Sequence, residues 1–72
     1  MREISERALE ALKKKYQEGA RVELIQMDDP QAPPIGTKGT VIAVDDIGSI
    51  LVNWDNGSTL SIAYGADRCR LI

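Results

Sequence analysis

The stretch from Gly36 to Tyr64, GTKGTVIAVDDIGSILVNWDNGSTLSIAY, constrains the fold of this chain more than any other. Thr40 to Val44, Ser49 to Trp54 and Ser58 to Tyr64 are short runs rich in β-branched and aliphatic residues. Each is bounded by Gly, Asp or Asn, the residues that end strands and make turns. Asn56-Gly57 is the sharpest signal, because a two-residue type I′ hairpin turn needs positive φ at both central positions. Asp45-Asp46-Ile47-Gly48 supplies a longer hairpin loop before it. The expectation is a meander of three consecutive antiparallel strands, and in so short a chain a small, strongly bent sheet.

The flanking segments extend this reading. Ile4, Ala8, Leu9, Leu12 and Tyr16 recur at three- and four-residue steps, which makes residues 1–18 an amphipathic helix with one apolar stripe. Ser5 is its expected N-cap, with Ile4 and Leu9 in the relation of a hydrophobic staple and Gly19 as the stop. Glu3 to Arg7 and Glu10 to Lys14 add i,i+4 pairs, and Lys13 to Lys15 suit the negative pole of the helix dipole. Arg21 to Met27 reads as a first strand, and Cys69 to Ile72 as a brief closing one after a turn at Gly65-Ala66-Asp67. Between the first two strands, Asp28 to Lys38 is a long connection in which Pro30, Pro33 and Pro34 fix φ and remove ladder donors, so a polyproline-like surface excursion is expected. Gly36 and Gly39 mark tight bends into the second strand. Val22 and Leu24 face one way, Ile25 and Met27 the other, and Val41/Ala43 and Ile42/Val44 repeat that doubling. Both sheet faces therefore carry apolar load, and the helix stripe is the spare apolar surface to cover the outer one. Residues 19–72 then form a five-stranded SH3-like β-barrel with the helix docked through Ile4, Leu9, Leu12 and Tyr16, a single folding unit.

At 72 residues the chain has room for one domain, and a domain this small buries only roughly 60% of its unfolded surface. With no Phe, one Trp and two Tyr, the core must be Val, Ile and Leu. The lone Cys69 excludes an internal disulfide, and the lack of His removes the commonest general base and metal ligand, which points to a reducing, cytoplasmic setting. No apolar run approaches the ~20 residues of a membrane span, and MREISER is not a signal peptide. Residues 1–18 carry five basic against four acidic side chains, net +1, whereas residues 19–72 carry four against seven, net −3. The β part is acidic, and a nucleic-acid binder ordinarily presents a basic face.

Reactive groups in number are confined to carboxylates. Asp28-Asp29 and Asp45-Asp46 are sequence neighbours in turns, where Asp ordinarily caps its own backbone. No EF-hand, Walker or zinc spacing occurs, so no catalytic, cofactor-binding or metal-ligating residue is expected and the chain does not read as an enzyme. Cys69 in a strand reads as a small buried apolar residue. Trp54 follows the alternation of Ile50 and Val52, which makes it most simply a core residue at the barrel edge, with a recognition role as the alternative. Lys13-Lys14-Lys15 reads as a solvated face before it reads as a phosphate contact.

The string MDDPQAPPIGTKGTVIAVDDIGSILVNWDNGSTLSIAYGADR closely resembles the small bacterial and phage family known as domain of unknown function 4314. MDDP, APPIGTKGTV, VDDIG, NWDNGS and GADR carry the resemblance, which spans Tyr16 to Ile72. It implies a compact β-barrel domain, frequent in genomes with mobile elements, and no catalytic residues to carry over. More loosely, the G-x-x-G-x-V then V-x-W-D-x-G rhythm is similar to KOW and other SH3-like modules, some of which bind nucleic acid. In an SH3-like barrel the loops after the first and second strands and the turn before the fifth converge. Here that gathers Asp28, Asp29, Pro33, Pro34, Asp45, Asp46 and Arg68, with Tyr64 and Trp54 as apolar ground. An acidic rim around a proline ridge repels phosphate and attracts a basic, partly apolar protein segment. The expected function is a non-enzymatic binding or regulatory module for a protein partner with a basic segment. A KOW-like nucleic-acid module using the basic helix is the alternative, a cation binder at the acidic loops a more distant third, and no membrane partner is expected.

Overall fold

The computed structural model describes residues 3–72. Helix α1 spans Glu6–Lys15 and is followed by strands β1 (Arg21–Gln26), β2 (Lys38–Val44), β3 (Ile50–Trp54) and β4 (Arg68–Leu71). The strands pair antiparallel in the order β3-β2-β1-β4. The protein is thus mainly β with one helix, a four-stranded open sheet folded into a globule. Its radius of gyration, 11.3 Å, matches the about 11 Å of a well-packed chain of this length.

Local sequence sets the helix ends. The Ser5 hydroxyl accepts from the Ala8 amide at 3.1 Å and satisfies one of the orphan donors of the first turn. The helix closes when the Tyr16 N–H reaches the Leu12 carbonyl at 2.9 Å, three residues before the expected stop. Gly19, at φ +88°, instead turns the chain into β1, and its N–H reaches across to the Val41 carbonyl at 2.8 Å.

The core is Tyr16, Val22, Leu24, Val41, Ile50, Val52, Trp54 and Ile62, with Leu12, Ala20, Met27, Val44 and Cys69 packed around it. Tyr16 and Leu12 carry α1 into this cluster, so the helix completes the core on the inner side of the sheet. It does not cover the outer face as the doubled apolar pattern suggested. Ile25 and Ile42 stay 38% and 44% exposed, and each falls at a break in register, between Leu24 and Gln26 on β1 and between Val41 and Ala43 on β2. A bulge inserts one extra residue and bends the strand. The aliphatic surplus is the bulged residue itself rather than a second buried face.

Ser58 to Tyr64, expected as a strand, is not one. It meets β3 at its two ends, where Trp54 N–H reaches the Ser58 carbonyl at 3.0 Å and Ile50 and Ile62 exchange two bonds of 2.9 Å. In that register Leu60 should face Val52 and complete the ladder. Side chains divert the groups that would do so. The Trp54 indole donates to the Leu60 carbonyl at 2.8 Å, the Ser58 hydroxyl accepts from the Leu60 amide at 3.4 Å, and the Asn56 side-chain oxygen accepts from the Ser58 amide at 3.0 Å. Local side-chain bonds of this kind compete with strand pairing.

The Asn56-Gly57 turn also differs from expectation. Gly57 has φ +92°, yet among the described residues no non-glycine residue has a positive φ. The Gly57 N–H returns to the Trp54 carbonyl at 2.9 Å, so the loop has three residues, a type I-like turn followed by a left-handed glycine. Gly39 is not a bend either. It lies inside β2 opposite Trp54, and a Cβ there would meet Val52 Cγ1 at 2.6 Å, Trp54 Cε3 at 2.8 Å and the Asn53 carbonyl oxygen at 2.9 Å.

Gly39→Ala should therefore destabilise the fold by about 1–3 kcal/mol through overpacking, read as a fall in Tm of roughly 4–8 °C per kcal/mol; an unchanged Tm would contradict the close approach. At Gly57 a Cβ would meet nothing within 4 Å, so only backbone strain opposes a side chain. Gly57→Val should lose about 1–2 kcal/mol and Gly57→Asn distinctly less, because Asn tolerates the left-handed region. Equal losses in thermal melts of the two variants would rule out that conformation.

Candidate functional site

The sequence-derived surface residues fall into two groups. Asp28 and Asp29 follow β1, which pairs with the start of β2 through Glu23 and Lys38 and then runs on past it, whereas Asp45 and Asp46 follow the last residue of β2. Antiparallel connectivity places these two acidic pairs at opposite ends of β2, and a single acidic rim does not form. Arg68 pairs with Gln26 at the start of β4 and lines a small pocket together with Tyr64. Pro33 is buried and Pro34 exposed. The connection is two successive turns, Asp29 to Ala32 and Pro34 to Thr37, closed by bonds of 2.9 and 3.0 Å. No continuous polyproline ridge results. Trp54 is 3% exposed and its N–H is committed to Leu60.

Two of the aspartates have structural duties. Asp29 Oδ1 accepts from the Gln31 amide at 2.8 Å, and Asp45 Oδ1 accepts from the Ile47 and Ser49 amides at 3.2 and 2.8 Å, both of them Asx-type turns. Asp46 is different. Its carboxylate is 94% exposed and meets only the Lys13 ammonium, at 3.2 Å.

Asp46 and Tyr64 come together with residues the sequence did not single out. The lead-in to α1, the β2–β3 turn and the segment after Ile62 enclose an open groove of about 590 Å³, with Ile4, Ile47, Ala63 and Tyr64 as apolar walls and Glu3 and Asp46 as its acidic groups. Gly48 makes the close approach possible. At φ +86° it lies so tightly between strand and helix lead-in that a Cβ would stand 3.0 Å from Ile4 Cδ1 and 3.1 Å from Tyr64 Cβ. Ile47 is 75% exposed, an isolated aliphatic in an otherwise polar turn, and that was the legible signal. Ile4 carried none beyond its place on the helix stripe.

A family model described as domain of unknown function (DUF4314) matches residues 5–72. The chain belongs to this family. The match takes in α1, so the helix is part of the DUF4314 domain and not an appendage to the strands from Tyr16 onward. No curated protein matches the chain.

In this DUF4314 domain Cys69 lies half-buried under Tyr16. Burial pushes its thiol up, against the weaker opposing pull of the Tyr16 hydroxyl and the Lys15 charge, which keeps it protonated and a poor nucleophile at neutral pH. Tyr16 is itself raised, chiefly by burial and then by the thiol. Among the described residues no three His, Cys, Asp or Glu side chains gather as a metal site, and no helix is long and apolar enough to cross a membrane.

The best-formed ion pair lies away from the groove. Arg21 grips Asp55 with two bonds, Nη1 to Oδ1 at 2.8 Å and Nη2 to Oδ2 at 2.7 Å, and Nη1 also donates to the Thr40 hydroxyl. That hydrogen-bonded guanidinium holds the Asp55 carboxyl below the usual carboxylate range, slight desolvation opposing it and Lys38 adding a smaller pull. A folded-state value below the unfolded one stabilises the protein above the unfolded pKa of about 3.9, and the contribution is lost as pH falls through the folded value. Asp55→Asn should thus lower Tm at pH 6–7, with the gap to the parent closing under strong acid. A gap that persists below both values would show that the carboxylate charge is not its source.

Proposed function

We propose that this domain is a small SH3-like binding module, without enzymatic activity, that recognises a protein partner through a basic, partly apolar segment. In this reading the stretch from Ser58 to Ile62 is the fifth strand of an SH3-like barrel, reduced to its two end contacts with β3. The groove at Ile47 and Tyr64 carries the proposal. Apolar walls give a partner side chain somewhere to be buried, and Glu3 and Asp46 select the charge beside it, so that steering and specificity come from the acids and affinity from the walls. Lys13 on Asp46 supports the same preference, since it is a lysine already resting where a partner's cation would lie. The pair is exposed, with side chains 46% and 94% accessible, and such pairs are worth about 0–1 kcal/mol, weak enough to exchange.

The nucleic-acid alternative asks the basic helix end to display its charge. Two of its three lysines already rest on groups of the protein itself, Lys13 on Asp46 and Lys15 over the Tyr16 ring at 5.4 Å. The Asp28-Asp29 end is the second acidic surface.

The reading is tested by an amide-resolved NMR titration of the full chain with an amphipathic Lys/Arg-rich peptide and, separately, with a short DNA duplex. The peptide should shift Asp46, Ile47 and Tyr64, and Asp46→Lys should weaken it about tenfold or more, roughly 1.4 kcal/mol. Shifts at Lys13 to Lys15 with the duplex, and none in the groove with the peptide, would favour the nucleic-acid module.

A further inference from the structure

The groove is not the whole of the apolar space at this end of the molecule. Beyond Tyr64 lies a second pocket of about 180 Å³ between α1 and β4, with Leu12, Tyr16, Ile50, Ile62 and Cys69 on its walls and Asp67 and Arg68 as its charged lining. The two spaces share Tyr64 as a wall, and the crowded backbone at Gly48 lines the smaller one. Their sizes separate their uses. Sites that hold a whole small molecule run to about 300–1,000 Å³, a range that includes the groove and excludes the pocket. The pocket has the dimensions of a hole for one side chain. Its deeper walls are aliphatic and aromatic, its charged lining, Asp67 and Arg68, cancels in sum, and it adjoins a groove whose accessible acids, Glu3 and Asp46, disfavour a ligand carrying phosphate. Tyr64 itself is 42% exposed and stands between the two as an amphipathic ring, with a hydroxyl able to bond a peptide backbone.

We infer that the partner segment is anchored by one unbranched or γ-branched aliphatic side chain, Leu or Met, inserted into the pocket beneath Tyr64, with Lys or Arg within a few residues lying on Asp46 and Glu3. The inference rests on the protein-binding reading above and adds the anchor, its chemistry and its place. Charge complementarity names the occupant, because an aliphatic anchor flanked by cations matches a small hole, neutral in sum through Asp67 and Arg68, that adjoins a groove bearing Glu3 and Asp46, and a nucleic acid or an anionic lipid surface does not. Most of the affinity comes from desolvating the anchor, as buried central residues do at other interfaces, and the charges contribute mainly to association and selection.

Panning a random peptide library displayed on phage against the full chain tests this. The enriched peptides should carry one Leu or Met next to two or more Lys or Arg residues. In a synthetic copy of the best of them, alanine at the aliphatic position should weaken binding about tenfold or more, and the bound peptide should slow alkylation of Cys69 by iodoacetamide in proportion to occupancy. Cys69→Leu, which fills the pocket, should weaken the peptide while its sensitivity to Asp46→Lys persists; if that variant fails to fold, the alanine peptide and the alkylation rate decide the matter by themselves. Basic peptides that bind in an Asp46-dependent way, with no aliphatic preference and no protection of Cys69, would overturn the anchor and leave the protein-binding reading standing. Enrichment of peptides without basic residues, or binding indifferent to Asp46→Lys, would overturn both.

Discussion

The contact on which the rest of this structure depends is the one between Trp54 and Gly39. The indole lies across β2 where Gly39 has no side chain, so close that a Cβ would sit 2.8 Å from the ring. Its N–H then reaches the Leu60 carbonyl at 2.8 Å. One side chain thereby joins β3, β2 and the segment that closes the open edge of the sheet. In a domain of 72 residues with no Phe, the single Trp is the largest apolar group there is, and where it is buried decides which strand positions can approach one another.

The same contact explains why the sheet has four strands. An indole donor that takes the Leu60 carbonyl leaves the segment from Ser58 to Tyr64 with too few ladder bonds to count as a strand, and Ser58 and Asn56 take two further backbone donors. The chain still runs alongside β3, held at Trp54 and at Ile50, and Ile62 is still buried in the core. Side-chain bonding has replaced part of the ladder without releasing the segment. Its far end, Ala63 to Asp67, is consequently free of strand geometry. There the Asp67 carboxylate accepts from the Ala63 amide at 2.9 Å and Tyr64 is turned out to form the wall between groove and pocket.

Charge is distributed in keeping with that architecture. The two most solidly bonded aspartates near turns, Asp29 and Asp45, stabilise loop backbone, and Asp55 is gripped by Arg21 at the far side of β2. What is left facing the groove is Asp46 with its exposed lysine partner, beside Glu3. Acidic composition alone therefore overstated the working surface. Asp28 and Asp46 both lack a bond to backbone among the described residues, and of the two it is Asp46 that adjoins the groove.

Much was determined by the sequence alone. The helix register and its Ser5 cap, the four strands to within two residues of their ends at Arg21–Gln26, Lys38–Val44, Ile50–Trp54 and Arg68–Leu71, the places though not the types of the turns, and the family follow from patterns a few residues long, because periodicity, capping and turn chemistry are local properties. Asp46 and Tyr64 were legible as surface residues for the same reason. What only the tertiary structure decided is everything that depends on two distant segments meeting: the side of the sheet that α1 completes, the bulges that leave Ile25 and Ile42 outside, the capture of Leu60 by Trp54, the separation of Asp28 from Asp46, and the assembly of Ile4, Ile47 and Tyr64 around one groove. A one-residue bulge reverses the facing of each later side chain, and a single indole hydrogen bond removes a rung of a ladder. Neither leaves a mark in the local pattern, since each is fixed by the shape of the packed core and not by the residue where it occurs.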